Sequence, residues 1–197
     1  RDGLMLVIDK PAGIPVHRGP KGGPNLEAAF DALRFGLPRP PVLAHRLDRD
    51  TSGCLVLGRH RKATATLGLP FKHNKVDKTY WAVVEGDPAE DSGEINLPLA
   101  PRSAERGWWQ KVDPAGLPSL SRWRVLGRGH GDAGEPLAWL ALEPVTGRTH
   151  QLRVHCAAMG WPIVGDNIYG NGPRFGEPSL HLHAREIVVP LSKNKPP

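Results

Sequence analysis

Residues 45 to 53 read HRLDRDTSG, and they carry the densest set of chemically able groups in the chain. Asp48 and Asp50 sit among Arg46 and Arg49, with His45, two hydroxyls and Gly53 alongside. An aspartate beside an arginine stays ionised at neutral pH. An ionised carboxylate can attack an electrophilic carbon or act as a base, as carboxylates do in glycoside hydrolysis. The same residues also suit a solvated turn whose surface ion pairs contribute little. A third reading gives Asp48 and Asp50 to Mg²⁺ in a nuclease. The adjacent guanidinium groups oppose it.

A second cluster is TGRTHQLRVHCAAMG, residues 146 to 160, where Arg148, His150, Gln151, Arg153 and His155 crowd a helix start. On one helix, Arg148, Gln151 and His155 share a face at i, i+3 and i+7. Backbone N–H groups at a helix N-terminus favour anions. The counter-ion is either a phosphate or a catalytic carboxylate, and Arg148, His150 and Gln151 are candidate substrate-binding residues. An amphipathic helix with a polar face is the plainer alternative. Zinc on His150, His155 and Cys156 is disfavoured, because five residues turn a helix so that the imidazoles stand about 140° apart.

Lys78-Thr79-Tyr80 opens a β-rich run, and Tyr80 suits either a core position or stacking on a base. Residues 101 to 128 hold Arg102, Arg106, Lys111, Arg122, Arg124 and Arg128 against Glu105 and Asp113. Trp108, Trp109 and Trp123 are interleaved. Cations mixed with aromatics suit RNA through phosphate contacts and stacking, with Arg102 and Arg106 as candidates. A hairpin with its tryptophans on the core fits the same pattern.

These groups need elements to position them. LMLVID from Leu4, PVLAHR, CLVLGR, KTYWAVV, SLSRWRVL, LAWLAL and LHLHAREIVV read as strands, and GEINLPLAP as a short extended piece. Leu26, Ala29, Phe30 and Leu33 predict a helix opened by Pro24-Asn25 and ended by Gly36 and Pro38. A second helix spans His60 to His73, with Gly68 and Pro70 cutting into it. A third spans Thr149 to Met159. Residues 129 to 134 are expected as a loop. Strands outnumber helices without alternating with them, which predicts an α+β fold with a mixed, mostly antiparallel sheet.

At 197 residues the expectation is a single domain, residues 1 to 197. Lys and Arg number 26 against 20 Asp and Glu, a net charge of +6 that suits a polyanionic partner. Two cysteines form no disulfide framework and fit a reducing, cytoplasmic compartment. No apolar stretch reaches the ~18 residues of a membrane span. The opening apolar run is too short for a secretion signal. With no heptad pattern, a monomer is expected.

Taken together, the stretches resemble the RluA family of RNA pseudouridine synthases. HRLDRDTSG is similar to that family's HRLD-x-x-TSG signature, and VIDKPAGIPVH to its Lys-Pro-Ala-Gly segment. KTYWAVVEG resembles its Lys-x-Tyr strand. TGRTHQLRVHCAAMGWPIVGDNIYG resembles its Gly-Arg-Thr-His-Gln helix and the Gly-Asp-x-x-Tyr-Gly that follows. LHLHA resembles its Leu-His-Ala strand. The matches come in the family's order between residues 4 and 185.

The resemblance implies cofactor-free, metal-free isomerisation of uridine to pseudouridine in rRNA or tRNA. It implies a sheet split by an RNA-binding cleft, with helices and loops around it. Asp48 then matches the catalytic aspartate, and Tyr80 the tyrosine that stacks on the uracil and takes part in proton transfer. Arg153 matches the arginine that pairs with the aspartate. Arg46 matches a residue holding the flipped-out nucleotide, and Leu182 an apolar wall of the pocket. Many members of that family carry an N-terminal S4-like domain, whereas this sequence is expected to open directly on the catalytic domain. Substrate choice is therefore expected to rest on that domain, with residues 101 to 128 as the candidate.

Overall fold

Period-two alternation makes MLVIDK a strand, β1 (Met5–Lys10), with Leu6 and Lys10 buried and Val7 and Asp9 outward. The computed structural model describes residues 2–19, 22–105 and 108–191. The chain gathers into two compact units, Arg1–Asp77 with Ala184–Pro197, and Lys78–His183. Each unit has its own hydrophobic cluster.

In the first unit β1 is followed by a 3-10 helix, Leu26–Leu33, capped by the Asn25 side chain on the Ala28 N–H. The apolar spacing predicts an α-helix here. Only Phe30 is fully buried, so little packing rewards the wider turn, and the segment stays 3-10. Two short apolar runs then form β2 (Val42–Leu43) and β3 (Ser52–Gly58). β3 pairs antiparallel with β1, from Met5 opposite Gly58 to Lys10 opposite Gly53. Helix α1 (Arg61–Lys72) runs through Gly68 and Pro70, which do not break it as the sequence suggests. Pro70 lies in the last turn, so the one bond it forfeits comes where the helix is already ending, and Asn74 in the left-handed region closes the end. Leu67 of α1 packs with Val56, Val76 and Val189.

The second unit is built on an antiparallel sheet. It comprises β4 (Asp77–Glu85), β5 (Ser92–Asn96), a hairpin of β6 (Leu99–Pro101) and β7 (Gln110–Val112), then β8 (Leu120–His130) and β9 (Pro136–Pro144). β4 pairs with β9 rather than with the strand that follows it, so the sheet order is β4-β9-β8-β5, with Tyr80 opposite Leu142 and Trp123 opposite Gly93. β8 runs to His130, so the expected loop at 129 to 134 contracts to a turn closed by Gly131 N–H on the Glu135 carbonyl. Cross-strand pairing overrides the Gly-rich composition there, with a bulge between Val125 and Gly127. Helix α2 (Gln151–Ala158) buries Leu152 and Cys156 against Leu140, Leu142, Ile163 and Trp161. Few helices and mostly antiparallel strands make the fold α+β, as the sequence predicts.

The last strand, β10 (Leu182–Val188), neighbours β3. The contact fixes the glycine of the HRLDRDTSG stretch. Gly53 has φ +110°, and a Cβ there would collide with the backbone of Ala184. A Gly53→Ala variant is therefore expected to lose about 3 kcal/mol from strain and overpacking. Urea denaturation would measure it, and a midpoint equal to wild type would contradict this packing.

Candidate active site

The HRLDRDTSG stretch is shaped from below by a buried amine. Lys10 has no exposed surface, because strand alternation points it inward with Leu6. Its Nζ donates to three main-chain oxygens, those of Pro11 (2.8 Å), Ile14 (2.9 Å) and Arg49 (2.9 Å). The Arg49 carbonyl also accepts from the Gly13 N–H. Burial pushes the Lys10 ammonium down to about 8, against the pull of the Asp50 and Asp48 carboxylates. Lys10 is thus both the fastener of the loop and a cation felt by Asp48.

Above it the chain turns tightly. The Thr51 N–H donates to the Asp48 carbonyl, and aspartate is favoured at the first position of such a turn. Leu47 and Thr51 are buried while Asp48 is half-buried between them. Asp50 pairs with the exposed Arg49 at 2.9 Å, a surface contact of small value. Arg46 is exposed. His45 is structural: its Nε2 accepts from the Val56 N–H, and its ring stacks on Phe71 at 4.4 Å.

In the second unit the predicted arginine has an unpredicted partner. Arg153 and Asp166 are 2% and 0% exposed. The guanidinium meets the carboxylate side-on, Nε to Oδ2 at 2.8 Å and Nη2 to Oδ1 at 2.7 Å. Burial tends to raise the Asp166 carboxyl, but Arg153 and the N–H groups of Ile168 and Tyr169 overcome it and hold the group below its usual range. Arg153 also lies over the Tyr169 ring at 5.5 Å. The Tyr169 hydroxyl accepts from the Gln110 N–H and meets His150 Nδ1 at 2.7 Å. Trp108, 55% exposed, stands edge-on to His150 at 5.8 Å.

Several predicted residues take other positions. The helix starts at Gln151, so Arg148 precedes it and does not share a helical face with Gln151 and His155. His150 adopts φ +53° at the N-cap, which swings the chain out of the helix before that point. Arg148 donates to the Pro118 carbonyl. Gln151 is buried and bonded to Thr146, Leu120 and Ser121. His155 is buried between Ser121 and the Leu97 carbonyl. Leu182 packs in the core cluster with Cys156 and Leu142, and Tyr80 packs against the same cluster half-buried. Burial alone lowers the Lys78 ammonium on the same strand.

The basic stretch is less naked than its composition implies. Arg122 pairs with Glu94, Arg128 with both Asp87 and Asp91, and Lys111 with Asp113. Trp123 is core, edge-on to Trp161 at 5.3 Å. Arg102 lies over the Trp109 ring at 5.7 Å. Arg106 lies outside the described residues. Among the described residues, no helix is long and apolar enough to cross a membrane.

The chain is similar to known RNA pseudouridine synthases. A family model described as RNA pseudouridylate synthase matches residues 4–158. The chain is 41% identical over 197 residues to an uncharacterised RNA pseudouridine synthase of Zymomonas mobilis, covering 99% of this chain and 88% of the relative. It is 37% identical to the ribosomal large subunit pseudouridine synthase C of Vibrio cholerae, covering 98% of this chain and 62% of that one. The dual-specificity RNA pseudouridine synthase RluA of Vibrio vulnificus is 36% identical, with 94% and 74% covered. The solved structure of human RNA pseudouridylate synthase domain containing 1 superposes with a TM-score of 0.81 at 31% identity, covering 100% of this chain and 79% of that one.

Two outcomes follow from the buried cations. Lys10→Met removes three hydrogen bonds, although the Arg49 carbonyl keeps a second donor, the Gly13 N–H, and is expected to lose about 2–4 kcal/mol in urea denaturation. Unfolded, Lys10 titrates near its ordinary value of roughly 10.4, so between there and about 8 the unfolded chain binds the extra proton. Wild-type stability from this group rises with pH across that window, and the methionine variant lacks the rise. Asp166→Asn removes the anion of a buried pair and is expected to lose about 3–5 kcal/mol at pH 7. That contribution is present above the unfolded carboxyl value and lost as pH falls through the lowered folded one. A variant of unchanged Tm would contradict it.

Proposed function

The chain belongs to the RluA family of RNA pseudouridine synthases, and we propose that Asp48 is the carboxylate through which it isomerises uridine to pseudouridine in a structured rRNA or tRNA. The observation that carries this reading is the loop: an HRLD turn with Asp48 half-buried, fastened from beneath by a fully buried Lys10. Asp48 attacks the nucleotide or helps expel its base, so that the C1′–N1 bond breaks. The uracil turns, a C1′–C5 bond forms, and the C5 proton departs while N1 gains one. Oxidation state is unchanged, so a carboxylate and a proton acceptor suffice, and no metal or organic cofactor is required.

A base inside a helix cannot be reached, so the uridine flips out at a cost of a few kcal/mol. Stacking on Tyr80 returns roughly 1–3 kcal/mol, and Tyr80 also takes part in the proton transfer. Lys10 supplies positive charge for the catalytic carboxylate. Arg153, the arginine that the family resemblance pairs with the aspartate, is held in one orientation by Asp166. Arg46 is exposed and holds the flipped nucleotide. Leu182 forms an apolar wall, and Arg148, His150 and Gln151 shape the substrate side of the α2 entrance. Gln151 acts through the backbone it braces rather than by direct contact.

Arg102, Arg106 and the exposed Trp108 belong to the stretch that selects the RNA. Arg122 and Arg128, already paired with acids, add less. The enzyme is proposed to act as a cytoplasmic monomer. Relatives named for ribosomal large-subunit RNA and for dual specificity make rRNA and tRNA the substrates to test.

The test is pseudouridine mapping of rRNA and tRNA from cells with and without the protein, followed by Asp48→Asn on the RNA so identified. The variant is expected to lose at least about 10³-fold in rate while RNA affinity stays within about threefold. Full turnover by that variant would overturn the mechanism. An RNA pool identical in both cells would favour a silent RNA-binding module.

A further inference from the structure

A cavity of about 480 Å³ lies in the first unit, and its lining shares no residue with the HRLDRDTSG stretch. Its lining combines Arg39, Arg59, His60 and Arg61 with the apolar Pro38 and Val42. Among the described residues, no carboxylate lines it. The volume suits a small organic ligand rather than a lone ion.

Among the described residues, no ion pair holds Arg39 or Arg61. Arg59 is tethered by Nη1 to the Asp2 carbonyl and by Nη2 to the Phe35 carbonyl. Both acceptors are uncharged main-chain oxygens that fix its position, and the exposed Asp2 carboxyl, which the Met5 and Leu4 N–H groups and then Arg59 hold below its usual range, offsets part of its charge. Arg39 and Arg61 are exposed. His60 caps α1 by accepting the Ala63 N–H on Nδ1, which leaves the proton on Nε2 as a donor.

The placement of Arg61 opposes helix stability. The first turn of α1 carries Arg61 and Lys62 and no acidic residue. Cations beside a helix N-terminus are repelled by its partial positive charge. Arg39, Arg59, Arg61, the helix end and the His60 donor therefore favour the same guest, an anion. Apolar Pro38 and the half-exposed Val42 add a surface for a sugar or base. Together these are the requirements of a nucleotide: phosphate on the guanidinium groups, nucleoside on the apolar wall.

We propose that this cavity binds a phosphodiester-linked nucleotide of the substrate RNA, remote from the uridine that reacts. The inference rests on the RNA reading under Proposed function and extends the RNA footprint to a second contact. Its role is affinity and register, because phosphate contacts position a strand without reading its sequence.

The test uses the whole chain and the RNA identified by mapping. Arg39→Glu with Arg61→Glu is expected to weaken RNA binding by about tenfold or more and to make log Kd against log salt shallower by about 1–2. The rate at saturating RNA should stay at wild type, with the change confined to KM. Arg39→Gln with Arg61→Gln should show the same effect in smaller measure. Lys72→Glu, at the far end of α1, makes the same charge change away from the cavity and should leave affinity near wild type. Equal loss in Lys72→Glu, or no loss in the double variants, would overturn the proposal.

A second arm titrates inorganic phosphate and uridine monophosphate and follows the Arg61 and Lys62 amide signals by NMR. Saturation by the mononucleotide with RNA affinity unchanged in the double variants would reassign the cavity to a free nucleotide and overturn the RNA source. Loss of turnover in Asp48→Asn with both binding results intact leaves this proposal standing. A wild type that binds RNA at the cavity yet modifies none would sink only the catalytic reading.

Discussion

A guanidinium with almost no exposed surface needs an anion beside it, and the second unit is arranged around that requirement. Leaving such a charge unpaired costs several kcal/mol, so the chain after α2 has little choice of path. It must return Asp166 to Arg153 side-on. Once there, Asp166 also takes the N–H groups of Ile168 and Tyr169, and its own carbonyl takes the Gly172 N–H. The ring of Tyr169 is thereby set against Arg153, and its hydroxyl against His150 and Gln110. One ion pair thus ties α2, the loop after it and the β7 edge into a single rigid arrangement.

The first unit meets a buried cation with a different answer. Lys10 receives three carbonyl oxygens and no direct carboxylate, so its charge is solvated rather than neutralised. Residual positive potential then reaches the two aspartates of the turn above. The two solutions suit two tasks. A bidentate carboxylate fixes the orientation of a planar group. A carbonyl cage fixes the path of a backbone and leaves charge available to a neighbour.

Much of this arrangement was legible in the sequence. Alternation in MLVIDK places Lys10 on the Leu6 face, and GDNIYG supplies the only nearby acid and tyrosine after the arginine-bearing helix. The motifs stand out in the sequence, but their spacing does not show that Arg153 is buried and so must take Asp166, with Tyr169 set against it. What sequence could not show was pairing across distance. Arg122 and Arg128 look free in a basic run, yet their acids lie 28 and 37 to 41 residues away on β5 and the turn before it. Likewise Arg148, Gln151 and His155 fit one helical face on paper, and a single left-handed residue at His150 removes Arg148 from it.

The cage around Lys10 touches only main-chain oxygens. Every residue type carries that oxygen, so the amine fixes where positions 11, 14 and 49 run without constraining what they are. Arg49, the most outward of them, is exposed through its side chain while its carbonyl is locked inside. The turn can therefore change its outward chemistry while Asp48 keeps its place. Under the proposed mechanism, substrate range and catalytic geometry would be separately adjustable traits at this turn.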